Sequence, residues 1–135
     1  MQAAYSRGHP VTLRSPPGAA QYAGLAFLNS LFDGAAKTCP EAKHSVILDC
    51  GADGALAHRA MAMGFRRIAF SGPRAMRDKL IGIAAKCGAQ LAPARTPKGA
   101  LDLLDSPDLA GALAAYLERR VTAKSGKNRA LPDKN

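Results

Sequence analysis

The sequence predicts a parallel α/β fold: a sheet of about four strands built from consecutive βα units, then a C-terminal helix. Short β-branched or apolar runs recur at PVTLRS (10–15), SVILDCG (45–51), RRIAFSG (66–72) and AQLAP (89–93). Between them lie stretches whose apolar residues fall at helical spacing. The run Val46-Ile47-Leu48 does not alternate with polar residues, which marks a strand covered on both faces, as in the centre of a parallel sheet. The resulting β-α-β-α-β-α-β order implies parallel strands joined by right-handed crossovers. Strand order stays open: a half-barrel with sequential strands and a flavodoxin-like three-layer fold both fit.

Taken in order, the first strand is stopped by Pro16-Pro17-Gly18, a turn signal. From Ala20 to Lys37 the pattern is helical, with Leu25, Leu28, Phe32 and Ala35 at spacings 3, 4 and 3, and Pro40 ends that region. The second strand is followed by a short Ala- and Met-rich helix over 53–63, ended by Gly64. After the third strand Pro73 opens a helix at a position where its missing N–H costs nothing. Met76, Leu80, Ile83, Ala84 and Cys87 give it one apolar stripe, and Gly88 closes it. The fourth strand leads through Pro93 and Pro97 to Ser106-Pro107-Asp108, which reads as a cap, a Pro at the first helical position and an acid in the first turn. The helix they start carries Leu109, Leu113, Tyr116 and Leu117 and is expected to end near Arg119-Arg120. Residues 1–120 thus read as a single domain, and 121–135 as a basic tail expected to be disordered.

Composition narrows the function classes. A chain of 135 residues is one domain's worth, and 47% hydrophobic residues suffice for an ordinary core. No apolar run approaches the roughly 20 residues of a membrane span, and residues 1–18 have no secretory h-region. Three cysteines (Cys39, Cys50, Cys87) are too few for a disulfide scaffold, so a cytoplasmic setting is expected. The net charge of +9 is spread: residues 121–135 carry four basic against one acidic residue, as do residues 73–92, while 19–44 are neutral. With four Phe, three Tyr, no Trp and no basic–aromatic interleaving, the charge reads as a solvated surface and argues against nucleic acid.

In a parallel α/β sheet, ligands meet the carboxyl ends of the strands. Those ends hold Arg14-Ser15, Asp49-Cys50-Gly51 and Ser71-Gly72. Asp49 and Cys50 place a carboxylate beside a thiol and are the candidate catalytic residues. Their plainer roles, a turn acceptor and a small core residue, weigh more. A Cys nucleophile needs a base, and His9, His44 and His58 stand at no spacing that supplies one. No metal site is expected, since His44, Cys50 and His58 are irregularly spaced and His44 falls at the amino end of its strand, away from Cys50. Two loops run from a strand into a helix start, Gly51-Ala52-Asp53-Gly54 and Ser71-Gly72-Pro73-Arg74, where free N–H groups attract anions. Arg14, Ser15, Gly51, Asp53, Ser71, Gly72 and Arg74 are therefore the candidate ligand-binding set. Neither loop has a P-loop or dinucleotide fingerprint, and no cofactor is expected.

PVTLRSPPGAAQYAG (10–24), the helix after it, VILDCG (46–51) and ALAHRAMAMGFRRIAFSG (55–72) resemble consecutive segments of the class II fructose-bisphosphate aldolases. In that family a "P-V-hydrophobic-hydrophobic-Q … G-A … Y-x-G" segment precedes a helix and a strand ending in H-x-D-H-G. A helix with "A-x-x-x-G-F" and a strand ending in "D-G/A-S" follow. The resemblance runs over residues 10 to about 92 and spans about three of the eight strands of the family's (β/α)₈ barrel. It places Asp49 on the catalytic acid/base aspartate and Cys50 on a zinc-ligand histidine. Ile47 stands for the first histidine of the motif, Ser71 for an aspartate, Arg14 for a glutamine, and Pro16 near a substrate-contacting serine. Ala92-Pro93-Ala94 stand where the zinc glutamate of E-x-E-L-G would arrive.

With several ligand positions changed together, the resemblance implies a non-catalytic, truncated aldolase-like module that binds a sugar phosphate or a protein, or regulates one. The alternative is a small lyase using Asp49 and Cys50 in an oligomer. A second alternative is a STAS-like regulatory domain, although Asp53-Gly54-Ala55 stands where that fold has its D-S-x-G serine. Homo-oligomerisation is expected, because a half-barrel with helices on one face would leave Val46 and Leu48, or Ile47, facing water.

Overall fold

The computed structural model describes residues 10–103 and 107–129, with side chains described as far as Arg120. Nine elements follow the predicted alternation: β1 (Val11–Arg14), α1 (Ala19–Ala23), α2 (Leu25–Thr38), β2 (His44–Asp49), α3 (Gly54–Ala62), β3 (Arg67–Ala69), α4 (Arg74–Cys87), β4 (Gln90–Ala92) and α5 (Leu109–Arg129). All neighbouring strands are parallel and the order is β1-β2-β3-β4. That is the order of a barrel slice. The flavodoxin-like alternative is not adopted, since it would need the strand order to reverse.

The period-two alternation of the strands sorts their side chains onto two faces. Leu48, Cys50, Ile68 and Phe70 join Ala19, Ala20, Leu25 and Leu28, and with them Ala57, Ala60, Met61, Leu80 and Ala84 from the crossover helices, in the main core. Full burial of Leu48, Ile68, Phe70 and Leu80 contributes about 1.5–3 kcal/mol each. On the opposite face Ile47, Ala69 and Ala92 form a second, smaller buried cluster. This corrects one expectation: Ile47 does not face water. Arg14, in register with Ile47, donates to the carbonyls of Pro93 at 2.9 Å and Ala94 at 2.7 Å. Strands lie about 4.8 Å apart, so a flat sheet would put the end of β4 beyond the reach of one side chain on β1. The Pro93–Ala94 segment is therefore brought back to the end of β1.

Several boundaries differ from the sequence pattern. The expected helix over Ala20–Lys37 is split at Gly24, whose φ of 85° and ψ of 148° suit glycine alone, into α1 and α2. Pro73 and Pro107 stand just outside their helices rather than at the first helical position. The cap of α5 is Asp108, whose Oδ1 accepts from the Gly111 N–H at 3.0 Å, while Ser106 lies outside the described residues. Helix α5 also continues past Arg119-Arg120 to Arg129. Among the described residues no helix is long and apolar enough to cross a membrane.

Candidate functional site

The carboxyl ends of β1 and β2 meet around Asp49, which is only 5% exposed. Its Oδ1 accepts from the Gly18 N–H and the Gly51 N–H, both at 2.9 Å, and its Oδ2 faces Arg14 Nη2 at 3.4 Å. The Asp49 N–H donates to Ser15 Oγ at 2.8 Å, and the Ser15 N–H donates to the Ile47 carbonyl at 3.1 Å. Ser15 thereby extends the β1–β2 ladder by one step with a hydroxyl standing in for a backbone carbonyl. Gly18, Gly51 and Arg14 come from the β1–α1 turn, the β2–α3 turn and β1. One carboxylate thus ties three segments together.

Local sequence explains the convergence. Gly51 adopts φ 59°, a left-handed conformation that turns its N–H back onto Asp49. A Cβ there would also meet Gln21 Oε1 at 2.5 Å, so the side-chain amide of Gln21, midway along α1, lies against the turn. Asp53 is the N-cap of α3, accepting from the Leu56 N–H at 3.0 Å. Asp53 is thus a capping residue in this geometry.

Cys50 follows Asp49 but points to the other face, where it is fully buried in the main core. Burial first, and the Asp49 and Asp53 charges second, push its thiol from 9.0 up to about 12. At neutral pH it is a neutral thiol, whereas a nucleophile or metal ligand must be a thiolate. The period of the strand separates the two candidate catalytic groups. His44 begins β2, with Nδ1 3.0 Å from the Ala42 carbonyl, at the far end from Cys50. Among the described residues no three His, Cys, Asp or Glu side chains gather as a metal site would need.

The second turn differs. The Ser71 N–H donates to the Gly51 carbonyl at 2.8 Å, joining the two turns, while the Ser71 side chain is exposed. Gly72 lies under the Phe70 ring, against which any Cβ would collide. Pro73 gives α4 no side-chain cap, and Arg74, at its start, is exposed. The candidate residues therefore divide into Arg14, Ser15, Asp49, Gly51 and Asp53, engaged in the first turn, and Ser71, Gly72 and Arg74 at the second.

Arg77 is the functional-looking residue that the sequence pattern does not reveal. Its guanidinium donates to the carbonyls of Phe70 at 3.2 Å and Ala92 at 3.5 Å, at the ends of β3 and β4. With Arg14 on Pro93 and Ala94, two arginines satisfy carbonyls along the rim. An arginine one turn inside a helix that follows a strand is the only available signal, and it is shared by many surface arginines. No family model, no curated protein and no solved structure matches this chain.

Proposed function

We propose that this chain is a non-catalytic binding module: an aldolase-like barrel segment in which the catalytic rim has become structure. The observation that carries this reading is the Asp49 carboxylate, whose oxygens are spent on Gly18, Gly51 and Arg14. An acid/base group must reach the proton it moves. Arg14 and Ala94, which the aldolase resemblance aligns with a glutamine and a zinc glutamate, are here bonded to each other. A guanidinium thus spans from the end of β2 to the segment after β4.

The small ligand that this reading favours carries a phosphate, as a sugar phosphate does. Ser71, Gly72 and Arg74 lie at the second turn, where no side chain caps the helix and the Ser71 and Arg74 side chains are exposed, and Arg74 supplies a charge-assisted donor. Free Cys39, Cys50 and Cys87 fit a reducing, cytoplasmic setting. The deciding experiment assays cleavage of fructose 1,6-bisphosphate by the wild-type protein and by Asp49→Asn, each with and without added zinc. The expected result is no turnover by either, with a lower unfolding midpoint for the variant. Turnover that Asp49→Asn abolishes without loss of stability would establish the lyase instead.

A further inference from the structure

Beyond that reading, we infer that the amino end of the sheet, opposite the Asp49 rim, holds an oxyanion site in which Arg67, Ser45 and Thr12 take a phosphate dianion. Side chains alternate between the two faces of a strand. Ser45 therefore shares the second face with Ile47, and Arg67 shares it with Ala69. Thr12 stands in register with Ser45, and Gln90 with Arg67. Each of the four strands thus contributes one polar residue to this row.

The row is joined by its own hydrogen bonds and keeps donors to spare. Arg67 Nη1 donates to Ser45 Oγ at 3.3 Å, and Ser45 Oγ stands 3.2 Å from Thr12 Oγ1. Two hydroxyls that share one hydrogen bond leave one O–H over. A guanidinium has five N–H groups. Among the described residues Arg67 commits one of them, to Ser45, and pairs with no carboxylate. Arg14, on the same face, is the contrast: its guanidinium is taken up by Asp49, Pro93 and Ala94. Arg67 and Ser45 are half-buried and Thr12 is exposed, so the sheet holds these donors in place while solvent can reach them.

The field around the row has the matching sign. Each helix runs back against its strands, so helix ends and strand starts share one rim. The last turns of α2, α3 and α4, the links that follow and the first residue of β3 bring Lys37, Lys43, Arg59, Arg66, Arg67 and Lys86 there, against Glu41. Lys37, Arg59 and Lys86 also offset helix dipoles, and Arg66 faces the Gly88 carbonyl at the end of α4. Lys43 and Arg67 lie outside any helix. Charges that look evenly spread along the sequence are thus gathered at one end by the topology, and such a field draws anions. A carboxylate brings one charge and two oxygens. A phosphate brings nearly two charges and three strong acceptors, the better match to donors from three strands.

Amide-shift titration of the full chain with inorganic phosphate and with glycerol phosphate, against sodium chloride at matched ionic strength, tests this. The Thr12, Ser45 and Arg67 amides should move with both phosphates and not with chloride. Tighter binding of glycerol phosphate marks an ester as the ligand; otherwise the ligand is the free ion. Arg67→Ala should weaken the response about tenfold and Thr12→Val about threefold. Arg74→Ala should leave it intact, which separates this site from the second turn. No shift at Thr12, Ser45 and Arg67, the same shifts with chloride, or a full response in Arg67→Ala would overturn the inference.

Discussion

The two strand-to-helix turns of this molecule have the same outline and opposite fates. Gly51-Ala52-Asp53-Gly54 and Ser71-Gly72-Pro73-Arg74 each leave the carboxyl end of a strand and enter a helix. In the first, Asp49 takes the N–H of Gly51 and Asp53 takes the N–H of Leu56, so carboxylates of the chain itself fill the place of an anion. In the second no side chain caps the helix, and a serine and an arginine face outward. Anion-binding potential at a helix start is generic. What separates structure from availability is whether an acidic side chain already sits there.

The largest effect should come from the first turn. Asp49→Ala leaves the N–H groups of Gly18 and Gly51 and the Arg14 guanidinium without that acceptor. A loss of about 3 kcal/mol is expected from urea unfolding. Asp49→Asn, which retains one oxygen for the two N–H groups, should lose less. A loss under about 1 kcal/mol for Asp49→Ala would mean that the carboxylate is not the tie described.

The two glycines should both resist substitution, for different reasons. Gly72→Ala drives a Cβ into the buried Phe70 ring, and overpacking of that kind costs about 1–3 kcal/mol. Gly51→Ala costs about 1–2 kcal/mol through its left-handed backbone, since the Gln21 side chain opposite is exposed and can move. Gly51→Asn should recover part of that loss and Gly72→Asn none, because asparagine tolerates the left-handed region but relieves no clash. Equal recovery at both positions would erase the distinction.

Smaller changes sharpen the contrast. Asp53→Ala removes a cap and should cost about 1 kcal/mol, whereas Arg74→Ala should stay within about 0.5 kcal/mol. In an amide-shift titration with inorganic phosphate, Gly72 and Ala75 should move in the wild type and not in Arg74→Ala. Shifts confined to Lys124–Lys134 would reduce the effect to nonspecific ion binding.

A last effect concerns Cys50; it is absent at neutral pH and appears only in alkali. Its folded-state value lies above its unfolded one, so below pH 9 the thiol is neutral in both states and contributes no pH dependence. From pH 9 toward 12 the unfolded chain releases the proton that the folded chain keeps, and stability falls as pH rises. That slope should be shallower in Cys50→Ala. If it persists unchanged, another group is responsible.

Much of the architecture could be read from local pattern. The run Val46-Ile47-Leu48 announced a strand covered on both faces, and Gly88 ends α4 where expected. The break at Gly24 stayed hidden because helical spacing continues across it. The separation of Asp49 from Cys50 was implicit in the period of a strand, yet proximity in sequence suggested a pair. The Asp49 site was the least legible, because its partners lie far apart: Arg14 meets Asp49 across 35 residues and the Ala94 carbonyl across 80. No spacing rule encodes a contact that depends on the return path of the chain after β4.

That long-range clasp has a consequence for how the protein is made. With the strands in sequential order, each strand can pair with the one synthesised just before it, so the sheet can grow as the chain leaves the ribosome. Arg14 is among the first described residues to emerge, and its carbonyl partners at Pro93 and Ala94 come only after the last strand. Until then the early part of the nascent chain holds the Arg14 guanidinium without its carbonyl partners. A ribosome stalled once Ala92 has cleared the exit tunnel would display all four strands with the Arg14 clasp still open. Protease protection of β1 and β2 would then be expected to rise late, once Ala94 has cleared the exit tunnel.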